Sequence, residues 1–207
     1  DSVASAAPPD GHFVAVAIEN ERDEEAGDGR VPQMPGGSVA LVEINAAGLV
    51  NCDSLLYADV TGLAEIAPED PEPEFVDINT LGETVVTVQE NNHLVVLDYA
   101  GKVVADFSAG TVELDGIDAS DDGALIFNEQ QAKRLREPDA LQWIDNDHFA
   151  IANEGDMDGG ARGWTIFSKR GEVVYESGTS FERAVIEAGH YPDKRSDAKG
   201  SEPEGME

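Results

Sequence analysis

The sequence predicts an all-β protein, and three observations carry this prediction. Its hydrophobic residues fall in short runs that are rich in Val, Ile and aromatic side chains and bounded by Gly, Asn and Asp. One pattern of residues recurs at a spacing of 65 positions. The 207 residues can also bury a core despite a formal net charge of −30, because 41% of them are hydrophobic.

The runs that we expect to form strands are short and closely spaced. They are Phe13–Ile18, Ser38–Ile44, Glu74–Ile78, Thr84–Val88, Leu94–Leu97, Val103–Phe107, Ala124–Phe127, Phe149–Ala152, Trp164–Phe167 and Glu172–Tyr175. Two segments, Asn128–Leu135 and Phe181–Ala188, are the only helical candidates. Many short strands of this kind favour either a β-sandwich or a β-propeller.

The repeat favours the propeller. Pro73, Pro138 and Pro203 each stand between two acidic residues and are spaced by 65 positions. The first two prolines each precede a strand, then a second strand that ends in a carboxylate and an amide, then a third and a fourth strand. Four strands per repeated unit is the layout of propeller blades.

We therefore expect a single-domain β-propeller of four-stranded antiparallel blades. The predicted units cover residues 11–70, 71–136 and 137–200, and a further first strand opens at 201–207. In this frame the chain begins at a second strand, and three blades are fewer than the roughly 4–8 that usually close a ring. The expectation is a partial ring or a fragment of a longer chain.

The excess of 43 Asp and Glu over 13 Lys and Arg excludes some classes of partner. A chain this acidic repels nucleic acid and anionic lipid headgroups, and it attracts cations. No apolar run approaches the length of about 18 residues that a membrane span needs, so we expect no membrane insertion. The single cysteine, Cys52, excludes an internal disulfide, and we expect it to be buried. Solvation at high salt is the alternative explanation of the charge.

Part of this acidity is expected to converge on one rim of the fold. In a four-stranded antiparallel blade, the turn into the first strand and the turn between the second and third strands lie on the same face. A group of oxygen ligands there suits Ca²⁺, or Mg²⁺, although the same side chains could simply cap turns. The candidate metal ligands are Glu72, Glu74, Glu90, Glu137, Asp139, Glu154, Asp156, Glu202 and Glu204.

Two smaller groups complete the candidates. Asp118, Asp122 and Glu129 have the spacing of an EF-hand calcium loop, with Gly at the sixth position. The residues before them do not read as a helix, so an ordinary turn before a strand is the alternative. Arg183 and Arg195 could bind an anion or pair with rim carboxylates. No catalytic nucleophile or base can be identified.

The order of these motifs resembles that of one family. The landmarks are Glu72-Pro73-Glu74-Phe75, Val88-Gln89-Glu90-Asn91-Asn92, Asp115-Gly116-Ile117-Asp118, Glu137-Pro138-Asp139-Ala140, Ala152-Asn153-Glu154-Gly155-Asp156, Phe181-Glu182-Arg183 and Glu202-Pro203-Glu204-Gly205. From about Gly11 onward the chain resembles the choice-of-anchor I type β-propellers, which include the mesenchyme-specific cell-surface glycoproteins and bacterial proteins labelled atypical alkaline phosphatases. More distantly, the last motif is similar to a turn in the phytase-like esterase propellers. The loop after Asp156 is short here, where relatives carry a long acidic insertion.

The resemblance implies an extracytoplasmic protein (periplasmic, secreted or on the cell surface) that associates with calcium. It also implies metal-assisted hydrolysis of a phosphomonoester, in which rim carboxylates hold one or two cations that polarise the phosphate. The first candidates for metal ligands are Glu154, Asp156, Glu202 and Glu204. The first candidate for the side chain that steadies the phosphate is Arg183 or Arg195. The alternatives are a non-catalytic scaffold that binds a surface or matrix partner, or a fragment that is inactive on its own.

Overall fold

The structure is a computed structural model that describes residues 2–8 and 11–206, and within these residues the strands form four antiparallel sheets. The strands β1–β14 are Val3–Ala6, His12–Ile18, Ser38–Ile44, Leu56–Ala58, Pro73–Ile78, Thr84–Val88, His93–Leu97, Val103–Ser108, Thr111–Ile117, Glu129–Leu135, Leu141–Trp143, His148–Ala152, Trp164–Ser168 and Val173–Glu176. One helix, α1, covers Ser180–Glu187. The all-β prediction is confirmed.

Three of the sheets have four strands each, in chain order. The first sheet is β1–β4, the second sheet is β5–β8 and the third sheet is β11–β14, while β9 and β10 form a separate hairpin. Neighbouring strands in each sheet pair in antiparallel fashion, as the four-strand repeat predicts. The arrangement is consistent with part of a propeller-like ring, and the described residues form no closed barrel.

The second sheet lies between the other two, and its burial shows this directly. Every residue of β6 and of β7 is buried, whereas β2 of the first sheet alternates between buried and more exposed positions. One apolar cluster, including Leu41 and Val86, joins the first sheet to the second. Another cluster, including Val96 and Phe149, joins the second sheet to the third. Continuous apolar runs are what a sheet covered on both faces requires.

Aromatic side chains fill the space between the second and third sheets. The Phe149 ring stacks against Phe107 and Phe167, with centroids 6.4 and 6.2 Å apart. Trp143 meets Phe149 edge-on at 5.3 Å. Such ring pairs add stability beyond the area that they bury, so this cluster holds the two sheets in register.

A buried ion pair attaches α1 and the hairpin to the third sheet. Arg162 is 1% exposed, and its Nη1 lies 3.1 Å from Oε1 of Glu182 in α1. Its Nε donates to Gln131 in β10 at 2.8 Å, and its Nη2 donates to the Ser196 carbonyl at 2.6 Å. A guanidinium satisfied from several sides can remain buried, so Arg162 links segments that share little apolar contact.

Two predictions of secondary structure are wrong. Asn128–Leu135 is not helical, because Glu129–Leu135 forms β10 and pairs with β9 despite its helix-favouring composition. Ala124–Phe127 forms no strand and lies in the loop of the hairpin, where the Ile126 side chain is 52% exposed. The predicted helix at Phe181–Ala188 is confirmed as α1.

The start and the end of the predicted strand repeat also differ from the structure. The first sheet contains a first strand, because Val3–Ala6 pairs with β2, so the expected start at a second strand is wrong. Residues 201–206 carry no strand, although one was expected to open there. Cys52 is exposed in a short 3₁₀ turn, so the expectation that it is buried is wrong too. The proposed unit boundaries stay a prediction.

We predict that Phe149→Ala lowers the free energy of unfolding by about 3–5 kcal/mol, because it empties the centre of the aromatic cluster. Val174→Ala is the matched control, since Val174 lies in the third sheet but is 55% exposed. The control should change stability by less than about 0.5 kcal/mol. Urea unfolding of both variants measures the difference, and equal effects would contradict the assigned packing.

Candidate functional site: an acidic cavity between three sheets

An acidic cavity of about 340 Å³ lies where the ends of the second strands of the three sheets meet. Nine of its eleven lining residues are carboxylates, and one is an arginine that could neutralise them only in part. The lining residues are Glu19, Glu21, Arg22, Glu24, Glu74, Gln89, Glu90, Asp139, Glu154, Asp156 and Glu204. Such a concentration of like charge in one concave site is the main electrostatic feature of the protein.

The repeated strand pattern brings these carboxylates to the cavity. Glu19 directly follows β2, while Glu90 and Glu154 each lie two residues beyond β6 and β12. Each is thus placed at the end of the second strand of its sheet. Side-chain hydrogen bonds then join the three sheets across the cavity: Glu19 with Glu74, and Gln89 Nε2 to Glu154 Oε2 at 2.7 Å.

Glu90 is the most enclosed carboxylate of the cavity. The residue is 2% exposed, and its Oε1 lies 3.5 Å from Nε of Arg22. Its other oxygen, Oε2, is buried and has no hydrogen-bond partner among the described residues. An unpaired buried carboxylate oxygen costs several kcal/mol unless a proton or a cation joins it.

A segment of the first sheet crosses the cavity toward the third sheet. We call residues 19–37, which connect β2 to β3, the strap. Arg22 Nε donates to Oδ2 of Asp156 at 3.0 Å, and Arg30 Nη1 donates to Oδ1 of Asp158 at 2.9 Å. The strap ends at Gly37, where a Cβ would stand 2.6 Å from the Pro73 ring, so only glycine allows this close approach.

The third-sheet wall of the cavity is a tight loop built around Glu137. The Glu137 side chain accepts hydrogen bonds from the N–H groups of Met157 and Asp158, at 2.7 and 2.8 Å. Gly155 has φ +82°, and a Cβ there would collide with the backbone of Gly160. The loop can therefore only close with glycine at this position, and its closure places Glu154 and Asp156 at the cavity.

Burial and mutual repulsion raise the pKa values of the cavity carboxylates. Burial, together with the neighbouring Glu74, raises the pKa of Glu19 to about 8. Burial also raises the pKa of Glu90 and of the adjacent Glu72 to about 8, and that of Asp139 to about 7. Several of these groups consequently carry protons near neutral pH when no cation is bound.

The structure brings six of the predicted ligands to the cavity and places three elsewhere. Glu72 is fully buried beside it, and its Oε2 accepts the Asn20 N–H at 3.3 Å. Glu137 organises the loop described above, and Glu202 pairs with Arg195 Nε at 2.8 Å. The six that line the cavity are Glu74, Glu90, Asp139, Glu154, Asp156 and Glu204.

The other candidate groups lie away from the cavity. In the hairpin loop, Asp118 accepts the N–H groups of Ser120 and Ile126, and Glu129 accepts that of Ala119, as in an ordinary turn. The Asp122 Oδ1 accepts the Ala124 N–H in the same loop. Arg183 is exposed on α1, and Arg195 is paired with Glu202, so neither reaches the cavity.

Sequence reasoning missed the contribution of the strap. Glu19, Glu21, Arg22 and Glu24 all line the cavity, as does Gln89. Glu19 had a usable signal, because Glu-Asn follows the second strand of the first sheet as it does in the second sheet. Arg22 had none, since its role depends on a contact with Asp156, 134 positions away in the sequence.

The donor set of the cavity fits a hard divalent cation. Its ionisable ligands are all carboxylates, and the unpartnered Glu90 Oε2 is an oxygen that such a cation could satisfy. Among residues 2–8 and 11–206, no three Asp, Glu, His or Cys side chains are already arranged closely enough to hold a metal ion. A cation would therefore have to draw the cavity carboxylates together.

Comparison with known proteins identifies the family to which the chain belongs. The model of the choice-of-anchor I domain matches residues 5–159, which is well over half of the chain. The chain belongs to the choice-of-anchor I domain family. The choice-of-anchor I domain belongs to a cell-surface or other extracytoplasmic protein.

Two further findings bear on this assignment. No curated protein matches the sequence significantly. Within the part of the chain that the structure describes, no helix has the length and apolar character needed to span a membrane. The match to the choice-of-anchor I domain includes the strap and most of the cavity wall.

We predict that, with divalent cations chelated, the protein is more stable at about pH 5.5 than at about pH 8.5. The folded-state pKa values of Glu19, Glu72, Glu90 and Asp139 lie above their ordinary values. Their stabilising protonation is complete at low pH and is lost as the pH rises through about 7 to 8. The melting temperature should fall by roughly 5 °C or more over this range.

Two variants test the origin of this pH dependence. Glu90→Gln should reduce it, because the amide cannot ionise and one of the four carboxylates with a raised pKa is lost. Glu113→Gln should leave it unchanged, since Glu113 is exposed on β9. A melting temperature that rises between these pH values in the wild-type protein would refute the assignment.

Proposed function

We propose that the acidic cavity binds a hard divalent cation, Ca²⁺ first and Mg²⁺ as the alternative, within a cell-surface or secreted binding module. The observation that carries this proposal is the set of carboxylates from all three sheets around one cavity, with Glu90 Oε2 buried and unpartnered. Oxygen ligands in this number suit Ca²⁺, which tolerates irregular geometry and six to eight ligands.

A bound cation would act on the packing of the sheets. Glu19, Glu90 and Glu154 come from different sheets, and their repulsion opposes the face-to-face stacking. A divalent ion would replace the protons that these groups otherwise need and would convert repulsion into attraction. The choice-of-anchor I domain would then serve as a cation-stabilised scaffold, and its loops would bind a surface or matrix partner.

We predict that Ca²⁺ stabilises the protein at neutral pH. For a dissociation constant of about 10⁻⁴–10⁻³ M, which is usual for extracellular modules, about 10 mM Ca²⁺ adds about 1.4–2.7 kcal/mol. The melting temperature should then rise by roughly 3–10 °C relative to the chelated protein.

Two paired variants locate the site. A Glu90→Gln/Glu154→Gln double variant should lose the calcium response, because both side chains line the cavity. Asp122→Asn, in the hairpin loop, should keep it. A response that disappears in Asp122→Asn and survives in the double variant would place calcium in the hairpin loop, and no response in the wild-type protein would end the proposal.

Metal-assisted hydrolysis of a phosphomonoester is a second candidate function. One observation favours it: Asp139 lines the cavity, and its pKa of about 7 suits a group that transfers protons. The phosphate would need a cationic side chain, and the only one at the cavity among the described residues is Arg22, which already contacts Glu90 and Asp156. The geometry therefore supports the scaffold better.

We predict no turnover of a generic phosphomonoester such as p-nitrophenyl phosphate, with Ca²⁺ or Mg²⁺ present, beyond the level of a chelated sample. The calcium-induced rise in melting temperature should persist in the same preparation. Hydrolysis that a chelator abolishes, and that Asp139→Asn reduces by a factor of about 100 or more, would instead establish the enzyme.

A further inference from the structure

The cavity already contains a cation that the chain itself provides. Arg22 is 8% exposed, and its Nη1 donates to the Gly29 carbonyl at 2.6 Å, which folds the strap around the guanidinium. Its Nε reaches Oδ2 of Asp156 at 3.0 Å and lies 3.5 Å from Oε1 of Glu90. A contact with Glu24, at 3.2 Å, completes the group.

These contacts involve two of the cavity carboxylates that could bind a metal ion. Glu90 contributes the unpartnered buried oxygen, and Asp156 lines the cavity from the loop after β12. A guanidinium bound to both carboxylates uses their lone pairs and adds a positive charge next to any incoming cation. Both effects weaken cation binding, and the second acts even where no ligand atom is shared.

We propose that Arg22 is a tethered counter-ion that competes with the divalent cation for Glu90 and Asp156, so that cation binding releases the strap from Arg22 onward while Glu19 stays at the end of β2. This inference rests on the proposed function, because it needs a cation site in the cavity. Arg22 sits on a connection rather than on a strand, and the strap residues around it, such as Asp23 and Glu25, are exposed. The part of the strap from Arg22 onward can thus leave the cavity without unfolding a sheet.

The neighbouring Arg30 provides a matched control on the same strap. It also pairs with an acidic residue of the third-sheet loop, Asp158, but its side chain is 43% exposed and it does not line the cavity. Removing its charge changes the net charge of the protein by the same amount as removing that of Arg22. A difference between the two variants therefore reports the position of Arg22 and not the overall charge.

The experiment is calcium titration by calorimetry on the full chain, comparing wild type with Arg22→Gln and Arg30→Gln. Arg22→Gln should bind Ca²⁺ at least about tenfold more tightly than wild type, and Arg30→Gln should stay within about twofold. Unchanged or weaker binding by Arg22→Gln, with wild type still binding, would refute the competition and leave the proposed function intact. No binding by any of the three proteins would instead refute the cation site itself.

A second readout uses the wild-type protein alone, and so does not depend on how the variants fold. Limited trypsin digestion followed by mass spectrometry measures cleavage after Arg30, within the strap. Calcium should accelerate this cleavage several-fold if it displaces Arg22 from Glu90 and Asp156. Equal or slower cleavage in calcium would show that the strap stays closed over the cation, and it would overturn the proposal.

Discussion

Mutual repulsion among carboxylates is the constraint on which the arrangement of this protein depends. The three sheets stack through apolar faces, and this stacking forces the ends of their second strands together. Because those ends carry Glu19, Glu90 and Glu154, hydrophobic burial is coupled to electrostatic cost. Burial first, and then repulsion from neighbouring carboxylates, raises the pKa values of all three side chains, and a proton is the smallest charge that can relieve this cost.

Side chains on the connections between strands, and not on the strands themselves, offset this repulsion. Arg22 brings a positive charge into the cavity from the strap, and Glu137 holds the opposite loop by accepting backbone N–H groups. Because these contacts lie on connections between strands, they can change without disturbing the apolar stacking, in which Phe149 and Phe167 are buried. This choice-of-anchor I domain therefore combines a stack of sheets with an acidic site that its connections hold in place.

The sequence predicts the repeated part of the fold well. Alternating and continuous apolar runs identify most strands, and the repeat around Pro73 and Pro138 locates the turns that bring Glu74 and Asp139 to the cavity. The features that the sequence did not predict depend on tertiary contacts. Residues 129–135 have helical propensity but become a strand because β9 offers a pairing edge. Arg22 could not be foreseen, because nothing local marks its contact with Asp156.

The central claim is that the three sheets share one cation through the acidic cavity. Anomalous diffraction from a crystal grown with calcium, or with terbium as its substitute, tests this claim most directly. We expect a single strong peak in the cavity, about 2.3–2.6 Å from oxygens that include Glu90 Oε2, with Arg22 displaced from Glu90. A peak only in the hairpin loop around Asp118, or none while Arg22 keeps both carboxylates, would contradict it.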